Sequence, residues 1–95
     1  MANVVYGDFE WEDAKATANL AKHGVSFEEA ASVFSDPCYL LLADEAKEGG
    51  FWAIGLSGLA RLLTVVHVER GARFRIVSAR QATQAEATVY ERRRF

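Results

Sequence analysis

Lys15, Asn19, Lys22 and His23 recur at i, i+4, i+7 and i+8, the spacing that lines up side chains along one side of a helix. Two ammonium groups, an amide and an imidazole in one stripe suit an anionic ligand. Further along, Arg70, Arg73, Arg75 and Arg80 fall in two strongly strand-like runs, "ARLLTVVHVER" and "RFRIVSAR", with His67 among them. Guanidinium groups bind phosphate through a planar fork. Without a metal ion, phosphoryl transfer needs a group that takes a proton, a group that gives one, and cations for the charge on phosphorus. RNA meets this pattern, since its own 2′-hydroxyl can attack the adjacent phosphorus. Arg75 and Arg80 are the candidates for charge stabilisation. His67, His23, Lys22 and Tyr90 are candidates for proton transfer. Arg70 joins Lys15, Asn19, Lys22 and His23 as a candidate substrate contact. Each has a plainer reading: His67 as a core histidine, Lys22-His23 as cations at a helix end, Tyr90 as a packing residue.

The charge distribution agrees with a basic surface. Net charge is −2, yet residues 1–56 hold three lysines and no arginine against ten acids, and residues 57–95 hold eight arginines and no lysine against three acids. Such polarity fits a polyanion partner, or two interleaved halves of one fold. With 95 residues the chain allows one domain, 1–95. A single cysteine, Cys38, and two histidines outside any H-x-x-x-H or H-E-x-x-H spacing give no metal-ligand pattern. No metal or cofactor is expected. Nothing in the sequence has the length and apolarity of a membrane span, and the N-terminal residues lack the pattern of a secretory signal. The expected location is the cytoplasm.

Elements that would position these residues follow from period and capping. Residues 12–23 read as a helix closed by Gly24, with Lys22 and His23 at the negative end of its dipole. Ser26-Phe27-Glu28-Glu29 is a capping box opening a second helix through Phe34, and Thr83-Gln84-Ala85-Glu86 opens a third through Tyr90. Residues 38–43, 51–57, 60–70 and 73–80 read as strands joined by short turns, after a possible short strand near the N-terminus. The expectation is an α+β domain with a small antiparallel sheet of about four strands, two N-terminal helices and one C-terminal helix. A two-residue turn at Gly71-Ala72 pairs Arg70 with Arg73, Val68 with Arg75 and His67 with Ile76. In that register His67 and Arg80 share a face with Leu63 and Val65, and Arg75 lies on the other; a bulge would exchange these assignments.

The blocks "FEWEDAKATANLAKHGVSFEEAASVF", "AIGLS", "RLLTVVHVERGARFRIVSARQAT" and "YE", in this order, resemble the BrnT family of bacterial toxins. The pattern F-x-W-D-x-x-K-x-x-x-N-x-x-K-H-G falls on Phe9, Trp11, Glu12, Lys15, Asn19, Lys22, His23 and Gly24, with Glu12 in place of the usual Asp. R-I-[IV]-S-A-R-x-A falls on Arg75 to Arg80 and Ala82, and E-x-x-x-Y-E on Glu86, Tyr90 and Glu91. Gly49-Gly50 stands where relatives often carry a basic residue. The resemblance implies a RelE-like fold and a ribonuclease that needs no cofactor and inhibits translation; metal-free cleavage through the 2′-hydroxyl is expected to leave 2′,3′-cyclic phosphate ends. It also implies a BrnA-like antitoxin with a ribbon-helix-helix DNA-binding part, two toxins on one antitoxin dimer, and operator DNA bound only through the antitoxin. The alternative is a catalytically weak partner module kept for antitoxin binding and co-repression.

Overall fold

A computed structural model describes residues 2–94. The chain forms β1 (Asn3–Tyr6), β2 (Phe9–Glu12), α1 (Asp13–His23), α2 (Phe27–Ser32) running into a 3-10 turn (Val33–Ser35), β3 (Leu40–Ala43), β4 (Gly50–Leu56), β5 (Leu62–Arg70), β6 (Arg73–Gln81) and α3 (Gln84–Arg94). One six-stranded sheet takes the order β1-β2-β6-β5-β4-β3. The architecture is α+β, but the expected four-stranded antiparallel sheet is not found. The N-terminal hairpin β1–β2 joins the sheet, and β2 runs parallel to β6, pairing Phe9 with Phe74 and Glu10 with Arg75. Two four-residue strands, each too short to give a clear alternation, produce this change.

Helix starts and stops follow the local chemistry. Gly24 closes α1 in the left-handed region (φ 69°) and donates its N–H to Leu20 O at 2.9 Å. The Ser26 hydroxyl caps α2 by accepting from Glu29 N at 3.0 Å. Glu12, at the N-cap of α1, makes no side-chain cap bond, so α1 depends on packing rather than on its first turn.

The main core lies between the sheet and the two N-terminal helices. Trp11, Val25, Phe27, Ala30 and Val33 pack there on Ala53, Leu63, Val65, Ile76 and Ala79. Phe27 is fully buried and meets Trp11 edge-on at 5.8 Å; burial of such a ring contributes roughly 2–3 kcal/mol. Gly55 sits where the 3-10 turn crosses β4, and a Cβ there would lie 2.9 Å from Tyr39 Cβ and 3.0 Å from a Val33 methyl. The opposite face carries Trp52, Ile54 and Thr64, covered in part by α3.

The hairpin pairs near the turn stand as expected, Arg70–Arg73, Val68–Arg75 and His67–Ile76. Past His67 the register shifts, so that Val66 faces Ser78 and Thr64 faces Arg80. Val77 is the extra residue of a β-bulge. The grouping of Arg80 with His67 is thereby corrected. Arg80 joins Arg75 on the α3 face, whereas His67 remains with Leu63 and Val65 in the core.

Candidate active site

Where β2 ends at Glu12 the chain turns into α1, leaving the outer edge of β6 beyond Arg75 without a neighbouring strand. Asn19 takes the strand's place. Its Nδ2 donates to Ala79 O and to Val25 O, both at 2.9 Å, and its Oδ1 accepts from Ala79 N at 3.1 Å. One buried amide thus satisfies both backbone groups of Ala79, which would otherwise be costly orphans. It also ties α1 to the loop that follows it.

This clamp holds open a cleft of about 340 Å³ lined by Lys15, Ala18, Asn19, Lys22 and His23 from α1 and by Val77 and Ser78 from β6. Four of the five expected substrate contacts, Lys15, Asn19, Lys22 and His23, therefore come together. Asn19 has its hydrogen-bonding capacity committed to the backbone and forms a wall. Lys15 and Lys22 are exposed and His23 is half-buried. Arg70 is not part of the group; it is exposed beside the Gly71 turn, across from Arg73.

The β6 wall of the cleft is bracketed by arginines. Arg75 precedes Val77 by two residues and Arg80 follows Ser78 by two, about 7 Å along an extended strand in either direction. Both have carboxylate partners that sequence reading did not find. Arg75 donates to Glu10 Oε2 at 2.7 Å and to Asn3 Oδ1 at 3.2 Å. Arg80 grips both oxygens of Glu86 at 2.8 and 3.0 Å, and its guanidinium carbon lies 5.9 Å from the Trp52 ring centre. Glu86 also accepts from Thr83 N and from the Thr64 hydroxyl, each at 2.8 Å, while Thr83 Oγ1 accepts from Glu86 N. The expected capping box is therefore also the anchor of Arg80. The Arg80 guanidinium, ahead of the other donors, lowers the Glu86 carboxyl to about 2.

His67 and Tyr90 lie elsewhere. His67 is 1% exposed among Phe34, Phe51 and Phe74, with ring centres 5.0, 5.7 and 5.1 Å away. Burial lowers its pKa below the ordinary 6.5, and its Nδ1 has no partner. Tyr90 is equally buried and donates its hydroxyl to Asp36 Oδ2 at 2.6 Å; Asp36 in turn accepts from Leu56 N and Cys38 N. Burial first, then the bond to the Asp36 carboxylate, raises the Tyr90 phenol to about 12. Tyr90 fastens α3 to the chain before β3.

A second pairing went unread in the sequence. Arg61 bonds both oxygens of Glu29 and the Gly24 carbonyl, and the Ser57 hydroxyl donates to Glu29. Through Gly24 this network holds the end of α1, and with it Lys22 and His23. Among the described residues no three His, Cys, Asp or Glu side chains are placed to hold a metal ion, and no helix is long and apolar enough to cross a membrane.

By fold and site, this is a small α+β domain with a cationic cleft between a helix end and a sheet edge. The chain belongs to the BrnT family, described as ribonuclease toxins of type II toxin–antitoxin systems, whose profile matches residues 11–86. Among solved structures it is similar to the ribonuclease toxin BrnT of Brucella abortus, determined at 1.1 Å. The two are 25% identical with a TM-score of 0.64, over 78% of this chain and 94% of that one. A search of curated proteins gave no match.

Proposed function

We propose that this toxin is a metal-independent endoribonuclease that leaves 2′,3′-cyclic phosphate ends and arrests translation. What supports the reading is the cleft, where Lys15, Lys22 and His23 meet the stretch of β6 bracketed by Arg75 and Arg80. In this reading Lys15 and Lys22 hold the phosphates on either side of the cut. The 2′-oxygen forms a bond to phosphorus as the bond to the 5′-oxygen breaks. The 2′ proton leaves to a base and the departing 5′-oxygen takes a proton, so the products are a cyclic phosphate and a 5′-hydroxyl. His23 is the cleft's imidazole and takes part in proton transfer, since a ring nitrogen can accept or donate a proton. Arg80 and Arg75, both on the α3 face, offset charge on the phosphorane once a phosphate competes with Glu86 and Glu10. His67 and Tyr90 act on the fold.

The reading includes a BrnA-like antitoxin with a ribbon-helix-helix part, two toxins on an antitoxin dimer, and operator DNA contacted only through that partner. A second reading, a weakly active module that serves antitoxin binding and co-repression, is favoured by one observation: Arg75 and Arg80 already have carboxylates.

RNA cleavage in EDTA, with analysis of product ends, separates the two. Cyclic phosphate ends from the wild type are expected, reduced about 100-fold or more in His23→Ala and in Arg80→Ala. Cleavage that persists in Arg80→Ala removes Arg80 from the mechanism. No cleavage by folded wild-type protein favours the partner module.

A further inference from the structure

At the opposite edge of the sheet from the N-terminal hairpin lies β3, which lacks the usual protections of an edge strand. Leu40-Leu41-Leu42-Ala43 holds no charge and no proline, and Leu41 and Leu42 are 45% and 41% exposed. Edges like this are normally blunted, because their free peptide groups recruit another strand. The ladder shows what is on offer. Next to the Ala43–Phe51 pair, Asp44 N donates to Gly50 O at 2.9 Å. Bonded positions alternate along an antiparallel pair, so Leu42 and Leu40 also turn their peptide groups towards β4. The N–H and C=O of Leu41 and Ala43 point outwards.

Alongside this edge, on the α3 face, runs an apolar groove of about 170 Å³ walled by Leu42, Trp52 and Ile54 on the sheet and by Ala85, Glu86 and Val89 on α3. Trp52 adds a buried indole N–H without an acceptor. Arg92 and Arg93 follow Val89 by three and four residues, which places them on the same side of α3. Both are exposed.

We infer that this edge and groove receive an extended segment of a partner protein. The segment adds a strand beside β3, sets alternate apolar side chains in the groove and brings a carboxylate to Arg92 and Arg93. A free ladder selects a peptide over a nucleic acid or a lipid, since only a peptide continues it. The two arginines set the sign of its charge. The inference rests on the toxin–antitoxin reading, which supplies the partner to be tested, the cognate antitoxin.

Calorimetric titration of the purified chain with that antitoxin is the test, with thermal melting of each variant as a check on folding. Ala43→Pro deletes one outward N–H and should weaken binding about tenfold, whereas Ala43→Val keeps it and should bind as the wild type. Leu42→Asp puts a carboxylate into the groove and should cost about 100-fold. Arg92→Glu with Arg93→Glu, both exposed, should cost about tenfold and reduce the salt dependence. Val5→Asp on β1 should change nothing. Wild-type affinity in both Ala43→Pro and the double arginine variant overturns the inference, as does a loss confined to Val5→Asp. A wild-type dimer in sedimentation that Ala43→Pro dissociates also overturns it, by making the occupant a second copy. If the wild type binds no antitoxin, the inference and the partner reading fall together. If it binds antitoxin but cuts no RNA, only the nuclease reading falls.

Discussion

The two sides of β6 hold similar numbers of cations in opposite states. On the α1 side, Lys15, Lys22 and His23 line a cleft, and no carboxylate among the described residues forms an ion pair with them. On the α3 side, Arg80 is held by both oxygens of Glu86, and Glu86 has two further donors of its own. A cation tied to an internal carboxylate positions a helix; a cation without one attracts a ligand. Arginine count alone does not show this contrast, because it does not reveal the carboxylates. The α1 side carries the open cleft.

Asn19→Ala is the most severe way to break the contrast. It removes the clamp and leaves Ala79 N–H and C=O unsatisfied, so a loss of about 3 kcal/mol in denaturant unfolding is expected, together with loss of the cleft. An unfolding free energy close to the wild type would show that water replaces the amide at no cost.

Glu86→Gln sharpens it. The variant weakens the hold on Arg80, and unfolding should show a loss of about 1–2 kcal/mol at pH 7. RNA affinity, read by filter binding, should rise a few-fold as Arg80 becomes available. Unchanged affinity would mean that Arg80 does not reach the ligand.

Two pH windows separate the groups further. The Glu86 carboxyl titrates lower in the folded chain, about 2 against an ordinary 4.5. Its contribution is complete above pH 4.5 and is lost as pH falls towards 2. The His67 imidazole is also lowered, from 6.5. The unfolded chain binds that proton first, so stability is complete above pH 6.5 and declines below it. His67→Phe should flatten the decline that begins at pH 6.5 and leave the acid window in place, whereas Glu86→Gln should reduce the acid decline, which the lowered Glu29 and Asp36 carboxyls share, and leave the other unchanged. Melting temperature against pH checks both.

The smallest effect belongs to Lys15→Ala on the cleft side. RNA binding should weaken a few-fold, and the slope of log K against log salt should fall by about 1, with stability unchanged within about 0.5 kcal/mol. An unchanged slope would place the RNA backbone away from α1.

What could be read from the sequence was local. Gly24, the Ser26 cap and the stripe from Lys15 to His23 are set by neighbours a few residues apart, and the structure reproduces them. The pairs next to Gly71 were equally legible, because a two-residue turn fixes its register. What failed was long-range. The parallel join of β2 to β6 links Glu10 to Arg75, and "FEWE" gives no sign of its partner. The bulge at Val77 was invisible, since an apolar residue satisfies either face. His67 stood open between a catalytic and a core reading, because a strand pattern shows which residues alternate but not that three phenylalanines close over one of them. Tyr90 is a similar case, with its partner Asp36 lying 54 residues earlier.

The clamp between Asn19 and Ala79 spans 60 residues, and this bears on the order in which a ribosome makes the chain. The α1 wall is translated well before Val77, Ser78 and Ala79. Until β6 has been synthesised, Lys15, Lys22 and His23 have no strand to face. A growing chain that has not yet reached β6 therefore presents a charged helix and no cleft, and whatever the cleft does waits for that strand.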